Sequence, residues 1–143
     1  MVSAIKKYGA SFGFEPNGGC IFPQIMLSRD GGSTTIKMLN LLSQTKVSLS
    51  LLVNSLPKYF LYKTKIDFPF DKAELVLEKA KKTFKNFKME DLDGLKIWLS
   101  EDSWILFRSS RNAPEFRVFA EALKEEEAVS LAQKGIELAK SLL

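Results

Sequence analysis

The sequence contains no histidine and a single cysteine, Cys20, among its 143 residues. Without histidine, the chain lacks the usual proton shuttle at neutral pH and the commonest ligand of transition metals. Any acid–base chemistry would therefore fall to carboxylates or lysines. One cysteine cannot close an internal disulfide, which fits a reducing cytoplasm, and Cys20 is expected to be a small core residue of a strand.

Long apolar runs are also absent. The longest one, around Leu49 to Leu56, is short and interrupted by polar residues, so it is not expected to cross a bilayer. The N-terminus shows no charged region followed by an apolar core and a small-residue cleavage site, as a secretory signal would. We therefore expect a cytoplasmic protein without a membrane partner.

The composition is typical of a globular chain with a hydrophobic core, since 45% of the residues are hydrophobic and 27% are charged. The formal net charge is +4, and most of the excess lies in residues 1–56. The remaining residues are nearly balanced in charge, which argues against a nucleic-acid surface. We therefore expect no nucleic-acid partner.

Residues 1–56 predict a short helical turn, a hairpin and two helices. Asn17-Gly18 is a strong hairpin-turn signal, because both residues tolerate positive φ. Asp30 and Ser48 are predicted to cap the two helices. Pro57 ends this part and marks the predicted domain boundary. Because these residues lack partners for a complete sheet, we interpret residues 1–56 as the tail end of a larger domain.

Residues 57–143 predict an α+β fold. Alternating residues predict a strand over Tyr59–Phe68, and an apolar stripe predicts a helix near residues 71–86. Three further strands (Leu95–Leu99, Ser103–Arg108 and Phe116–Glu121) and a final helix from about Lys124 follow. We expect an antiparallel sheet of about four to five strands with helices on one face. The final helix is predicted to bury a stripe at helical spacing, namely Val129, Ala132, Ile136, Ala139 and Leu143.

The turn between the last two predicted strands is the first candidate for function. It combines arginines with small hydroxyl and amide residues: Arg108, Ser109, Ser110, Arg111 and Asn112, with Arg117 in the next strand. Backbone N–H groups of such a loop can form an oxyanion site, and arginine forks match phosphate or carboxylate oxygens. The same residues are also consistent with a solvated hairpin tip whose arginines keep a sheet edge soluble.

This stretch resembles the C-terminal phosphate-binding loop of the α-D-phosphohexomutases, the phosphoglucomutase, phosphomannomutase and phosphoglucosamine mutase group. The family pattern is Arg-x-Ser-Gly-Thr-Glu-Pro followed by an Arg-Val-Tyr strand. The matching residues are Arg108, Ser110, Pro114, Arg117 and Val118. Arg111, Asn112 and Ala113 replace the Gly, Thr and Glu of the pattern. The resemblance implies that Arg108, Ser109, Ser110, Arg111, Asn112 and Arg117 bind a substrate phosphate.

A second stretch, Phe14-Glu15-Pro16-Asn17-Gly18-Gly19, is similar to the sugar-recognition loop of the same family. Arg29-Asp30-Gly31 follows it, as in the family. The resemblance implies that Glu15 and Asn17 face the hydroxyls of a hexose. The hairpin-turn interpretation and the sugar-loop interpretation are compatible.

The resemblance implies that residues 1–56 end the sugar-binding α/β domain and that residues 57–143 form the C-terminal phosphate-binding domain, similar to one repeat of the TATA-binding-protein fold. The resemblance further implies that the complete enzyme would be an isomerase, which moves a phosphoryl group within a hexose phosphate through a phosphoserine and Mg²⁺. Neither the serine loop nor the metal loop occurs in this sequence. We therefore expect no catalytic residue, metal ligand or cofactor here, with Mg²⁺ held by a missing domain.

The expected partner is a hexose phosphate. A separate chain carrying the upstream catalytic domains is a further expected partner if the protein is split. The alternative is a stand-alone sugar-phosphate-binding or regulatory module that has lost enzyme activity. Nucleic-acid binding through a TATA-binding-like sheet would rest on fold analogy alone.

Overall fold

The computed structural model describes residues 1–15, 18–110 and 112–143. The chain divides into two units, Met1–Pro57 and Lys58–Leu143. None of the helices within the described ranges is long and apolar enough to cross a membrane.

The first unit consists of three helices and a two-stranded hairpin. The helices are α1 (Val2–Tyr8), α2 (Gly31–Thr45) and α3 (Leu49–Asn54), and the strands are β1 (Gly13–Phe14) and β2 (Cys20–Ile21). The strands are antiparallel, with Phe14 paired to Cys20. Phe12 stacks on Phe14 and contacts Phe22 at ring-centroid distances of 5.7 and 5.3 Å, so these alternating aromatics cluster as the predicted pairing implies.

Both predicted helix caps are confirmed. The Asp30 carboxylate accepts hydrogen bonds from the N–H groups of Gly32 at 3.1 Å and Ser33 at 3.0 Å, and it also accepts one from the Ser33 hydroxyl. These bonds hold the pKa of Asp30 below its ordinary value, the hydroxyl contributing most. Ser48 Oγ accepts from Leu51 N–H at 3.4 Å at the start of α3.

The helices of the first unit bury little of their apolar surface. Every residue of α2 and α3 is described, and none of them is buried. Ile36 and Leu39, which recur at helical spacing on α2, are 61% and 59% exposed. Cys20, which we expected in the core, is only half-buried, with Sγ 3.8 Å from Gly18 O. The apolar stripe of α2 is thus present but has little to pack against in this unit.

The second unit is built on a five-stranded antiparallel sheet. Its strands are β3 (Phe60–Asp67), β4 (Lys88–Glu90), β5 (Leu95–Trp98), β6 (Trp104–Ser109) and β7 (Glu115–Ala122), in the spatial order β3-β7-β6-β5-β4. The predicted α+β class and the four-to-five-stranded sheet are confirmed. The edge strand β4 was not among the strands located from the sequence. Its residues, Lys-Met-Glu, carry no β-branched or aromatic side chain, and only Met89 packs on the core.

Strand alternation separates the two faces of this sheet. Phe107, Phe116 and Val118 are fully buried on the face covered by the helices, whereas Arg117 lies on the other face, as predicted. The covering helices are α4 (Ala73–Thr83), preceded by a 3₁₀ turn, and α5 (Glu125–Lys140). The core therefore lies between the sheet and these two helices.

The apolar stripe of α4 is confirmed, since Val76 and Ala80 are fully buried. The predicted stripe of α5 is confirmed in part, since Ala132 and Ala139 are fully buried and Ile136 packs against the core, whereas Leu143 lies beyond the helix and is exposed. The fully buried residues of α5 are all small, namely Ala128, Ala132, Gly135 and Ala139. Small residues allow the helix to approach the sheet so closely that a Cβ atom at Gly135 would lie 2.6 Å from Val118 Cγ1. Side-chain size at the contact therefore decides which residues of α5 are fully buried.

Candidate functional site

The loop between β6 and β7 is short and held at both ends. Ser110 N–H donates to Glu115 O at 3.0 Å, which closes the loop. Glu115 N–H donates to Ala113 O at 2.7 Å, forming a tight turn around Pro114. Pro114 O also accepts from Phe68 N–H at 2.8 Å, next to the end of β3. Backbone hydrogen bonds therefore fix Ser110 at one end of the loop and residues 113–115 at the other.

Three polar groups converge at Ser110. Its side chain is buried, and its Oγ accepts from Asn112 N–H at 3.3 Å and from Arg117 Nη2 at 3.5 Å. A hydroxyl, a backbone N–H and a guanidinium thus share one corner of the loop. Arg111, which the sequence also predicts for this site, lies outside the described residues. Alternation along β6 places Ser109 on the opposite face of the sheet from Arg108.

Three basic residues form a row across adjacent strands, which we call the cationic row: Arg108, Arg117 and Lys65. Arg117 on β7 pairs directly with Arg108 on β6 and with Lys65 on β3. Directly opposed residues have their Cβ atoms about 4.5–5.5 Å apart, and like charges at such positions destabilise a sheet. Concentrated positive charge beside the loop is the arrangement expected of an anion site.

Two carboxylates partly neutralise the cationic row. Asp93 Oδ2 lies 3.0 Å from Arg108 Nη2. Glu115 Oε1 accepts from Arg117 Nε at 2.9 Å and from Nη2 at 2.6 Å, while its Oε2 accepts from Lys65 Nζ at 2.6 Å. The Glu115 side chain is only 10% exposed. Its hydrogen bonds with Lys65 and then with Arg117 lower the pKa of Glu115 below its ordinary value, so this carboxylate is ionised at neutral pH.

The turn before β5 packs closely against the backbone of Phe107 and Arg108. Gly94 has a φ of 88°, and a Cβ atom there would lie 2.3 Å from Phe107 O and 3.2 Å from Arg108 Cα. Only glycine fits this approach without a backbone shift. Asp93, the partner of Arg108, precedes it in the same turn, so the turn positions both members of the ion pair.

A shallow recess of about 320 Å³ lies beside the cationic row on the open edge of the sheet. Its lining residues are Lys63, Thr64, Lys65, Glu115, Arg117 and Phe119. The described residues contain no group of three or more His, Cys, Asp or Glu arranged to hold a metal ion.

The predicted sugar loop lies in the first unit. Glu15 N–H donates to Gly19 O and Gly18 N–H donates to Glu15 O, both at 2.9 Å, so the Glu15 backbone is hydrogen-bonded on both sides. Arg29 Nη1 donates to Glu15 Oε2 at 2.6 Å. The second predicted sugar ligand, Asn17, lies outside the described residues.

Comparison with known proteins identifies the family. The family model described as phosphoglucomutase/phosphomannomutase, alpha/beta/alpha domain III, matches residues 1–60. A phosphoglucomutase/phosphomannomutase of Thermococcus kodakarensis is 36% identical over 144 aligned residues, covering 100% of this chain. The chain belongs to the α-D-phosphohexomutase family. It corresponds to the C-terminal part of the family members and spans only 31% of that relative.

Other family members give the same result. A phosphoglucosamine/phosphogalactosamine mutase of Sulfurisphaera tokodaii is 38% identical over 125 residues, which cover 85% of this chain and 27% of the relative. A crystal structure of a phosphoglucomutase/phosphomannomutase family protein from Burkholderia thailandensis superposes with a TM-score of 0.74 at 21% identity. It covers 97% of this chain, and this chain covers 30% of it. The phosphohexomutase fold therefore extends over nearly the whole sequence.

Sequence reasoning missed four side chains of these sites: Lys65, Asp93, Glu115 and Arg29. Glu115 was detectable, because residues two apart on a strand share a face and Glu115 therefore neighbours Arg117. Lys65 and Asp93 become neighbours only through strand pairing and the turn before β5, and no local pattern reports such contacts. Arg29 lies 14 residues from Glu15 and was noted only as part of a motif.

Proposed function

We propose that the loop between β6 and β7 binds the non-reacting phosphate of a hexose phosphate, as part of a phosphohexomutase. Arg108 and Arg117 would pair with the phosphate oxygens, and the Ser110 hydroxyl and loop N–H groups would complete the site. The observation that carries this proposal is the convergence of Arg117 Nη2 and Asn112 N–H on the buried Ser110 hydroxyl, beside a directly opposed Arg108.

Such a site contributes to rate as well as to affinity. In phosphoryl transfer the protein acts mainly by positioning the substrate and stabilising charge. A clamp on the phosphate that does not react orients the hexose toward the reacting end. The phosphoserine and the Mg²⁺ would be supplied by other parts of the complete enzyme, so these 143 residues alone are proposed to bind without catalysing.

The sugar loop would contact the hexose hydroxyls. Glu15 is an acceptor for such hydroxyls, and its carboxylate pairs with Arg29. Asn17 is proposed as a second ligand on the family resemblance alone.

Binding by this chain alone should be weak. About three charge-assisted hydrogen bonds, each contributing roughly 1.5–3 kcal/mol, oppose an association cost of at least ~4 kcal/mol. The resulting dissociation constant is on the order of millimolar.

Further polypeptide is proposed to cover the first unit. Ile36, Leu39 and Leu51 are each more than half exposed on α2 and α3. Exposed apolar side chains in such number are expected of a contact surface. The partner would be the upstream catalytic domains, on the same or on a separate chain.

An amide NMR titration with glucose 6-phosphate tests the phosphate site. We expect shifts concentrated at residues 108–117 with millimolar affinity, smaller shifts with inorganic phosphate, and none in that loop with glucose. Absence of loop shifts at saturating glucose 6-phosphate would refute the phosphate site.

The alternative is a stand-alone binding or regulatory module. It is motivated by Arg111, Asn112 and Ala113, which replace the Gly, Thr and Glu of the family loop. Adding the serine and metal domains of a relative in trans separates the two hypotheses. Restored mutase activity supports the enzyme fragment, and phosphate binding without any activity supports the module.

A further inference from the structure

We infer that Glu115 is a positioning residue of the phosphate site, which orients Arg117 for the ligand with the help of Lys65. This inference rests on the proposed function of the loop and adds a carboxylate to a site that binds anions. A negative charge beside a phosphate is unfavourable by Coulomb's law, so its presence requires a different role.

Both oxygens of the Glu115 carboxylate accept hydrogen bonds from basic side chains. Oε1 accepts from the Nε and Nη2 atoms of Arg117, and Oε2 accepts from Lys65 Nζ. Lys65 and Arg117 are cross-strand partners, so one carboxylate joins two strands at this level of the sheet. The low exposure of Glu115 limits solvent competition for these bonds.

The pairing leaves one edge of the guanidinium available. An arginine presents a side edge, Nε and Nη2, and an end edge, Nη1 and Nη2. Glu115 holds the side edge, and Nη2 also approaches Ser110 Oγ. Among the described residues no hydrogen bond involves Nη1. The end edge is therefore held in a fixed direction beside the loop hydroxyl: Nη1 is available for one phosphate oxygen, and a second oxygen would take the place of Ser110 Oγ on Nη2.

The position of Glu115 also fits the departures of this loop from the family pattern. The pattern carries a glutamate where this chain has Ala113, which has no charge to offer. Glu115, two residues later, supplies the carboxylate that accepts hydrogen bonds from Arg117 in this chain. Preorganisation by such a contact improves affinity by reducing the entropy lost when the ligand binds.

The sign of the mutational effect tests the inference. Glu115→Ala removes both the charge and the contact, Glu115→Gln removes the charge but keeps an acceptor, and Glu121→Gln is the matched control on the same strand and face. If Glu115 positions Arg117, phosphate and glucose 6-phosphate should bind most tightly to the wild type, less tightly to Glu115→Gln, and about tenfold more weakly to Glu115→Ala. The control should bind as the wild type does.

Two readouts by NMR complete the experiment: ligand affinity at fixed ionic strength, and the order of the Arg117 Nε–H group without ligand. We expect that group to be ordered in the wild type and mobile in Glu115→Ala, with amide spectra otherwise unchanged. Equal or tighter ligand binding by Glu115→Ala, or an equally ordered Arg117, would overturn the inference while leaving the phosphate site intact. No ligand response in the wild type would instead overturn the proposed function and this inference together.

Discussion

Arg108 lies directly opposite Arg117 on the neighbouring strand, with Lys65 next in the same row. Opposed like charges cost stability in a sheet, and the two nearby carboxylates offset only part of the charge. A protein keeps such an arrangement where function requires it, because binding sites are rarely optimal for stability. We therefore propose that the row is kept for anion binding.

Replacing Arg108 should separate these two effects. We expect Arg108→Gln to weaken glucose 6-phosphate binding severalfold while changing the free energy of unfolding by less than about 1 kcal/mol, since an exposed ion pair contributes little. Urea unfolding followed by the fluorescence of Trp98 and Trp104, with an NMR titration of the same variant, measures both. A large loss of stability without loss of binding would contradict the assignment.

The Gly94 turn should be intolerant of a side chain. Gly94→Ala places a Cβ against the Phe107 carbonyl oxygen in a positive-φ conformation, and we expect a loss of at least about 1 kcal/mol in the free energy of unfolding. Asp93→Asn, in the same turn but without the clash, is the control and should change stability little. Equal stabilities of Gly94→Ala and the wild type would show that the turn relaxes freely.

Helix α5 should be equally sensitive at Gly135. A methyl group there would press on Val118 and on Ile105, 2.8 Å from its Cδ1, so Gly135→Ala should destabilise the second unit by about 1–3 kcal/mol. Ser130→Ala, on the exposed side of α5, serves as the control. If Gly135→Ala had the same free energy of unfolding as the wild type, the helix would be able to move away from the sheet at little cost.

How far the sequence predicts this structure depends on the range of the interaction. Caps such as Asp30, the alternation around Arg117 and the α4 stripe depend on neighbouring residues, and all three are confirmed. The α5 stripe was predicted only in part, because close packing on the sheet favours glycine and alanine over larger apolar residues at the fully buried positions. Strand β4 was missed because pairing with β5, not its own residue types, makes it a strand.

The residues of the candidate site also differ in whether the sequence alone could predict them. Arg108, Ser110 and Arg117 were found from the loop motif, and the structure brings Ser110 and Arg117 together. Lys65 lies 52 positions from Arg117 along the chain, and only the register of β3 with β7 makes them neighbours. A single sequence carries no signal for that register.

Acidification should weaken the second unit through Glu115. Its pKa in the folded protein is lowered by Lys65 and Arg117, so the ionised form is favoured by folding. This contribution is fully present above the ordinary glutamate value of about 4.3 and is lost as the pH falls through the lower folded value. The stability difference between wild type and Glu115→Gln should therefore shrink from pH 7 to about pH 3. Urea unfolding at several pH values measures it, and a constant difference would argue against the ionised carboxylate.

The most direct test of the phosphate site is a crystal structure of this chain with glucose 6-phosphate. We predict that the phosphate lies in the loop between β6 and β7, with its oxygens about 3 Å from the Arg117 guanidinium and Ser110 Oγ. A phosphate bound elsewhere, for example on the lysines of α4, with Arg108 and Arg117 unoccupied, would contradict the account.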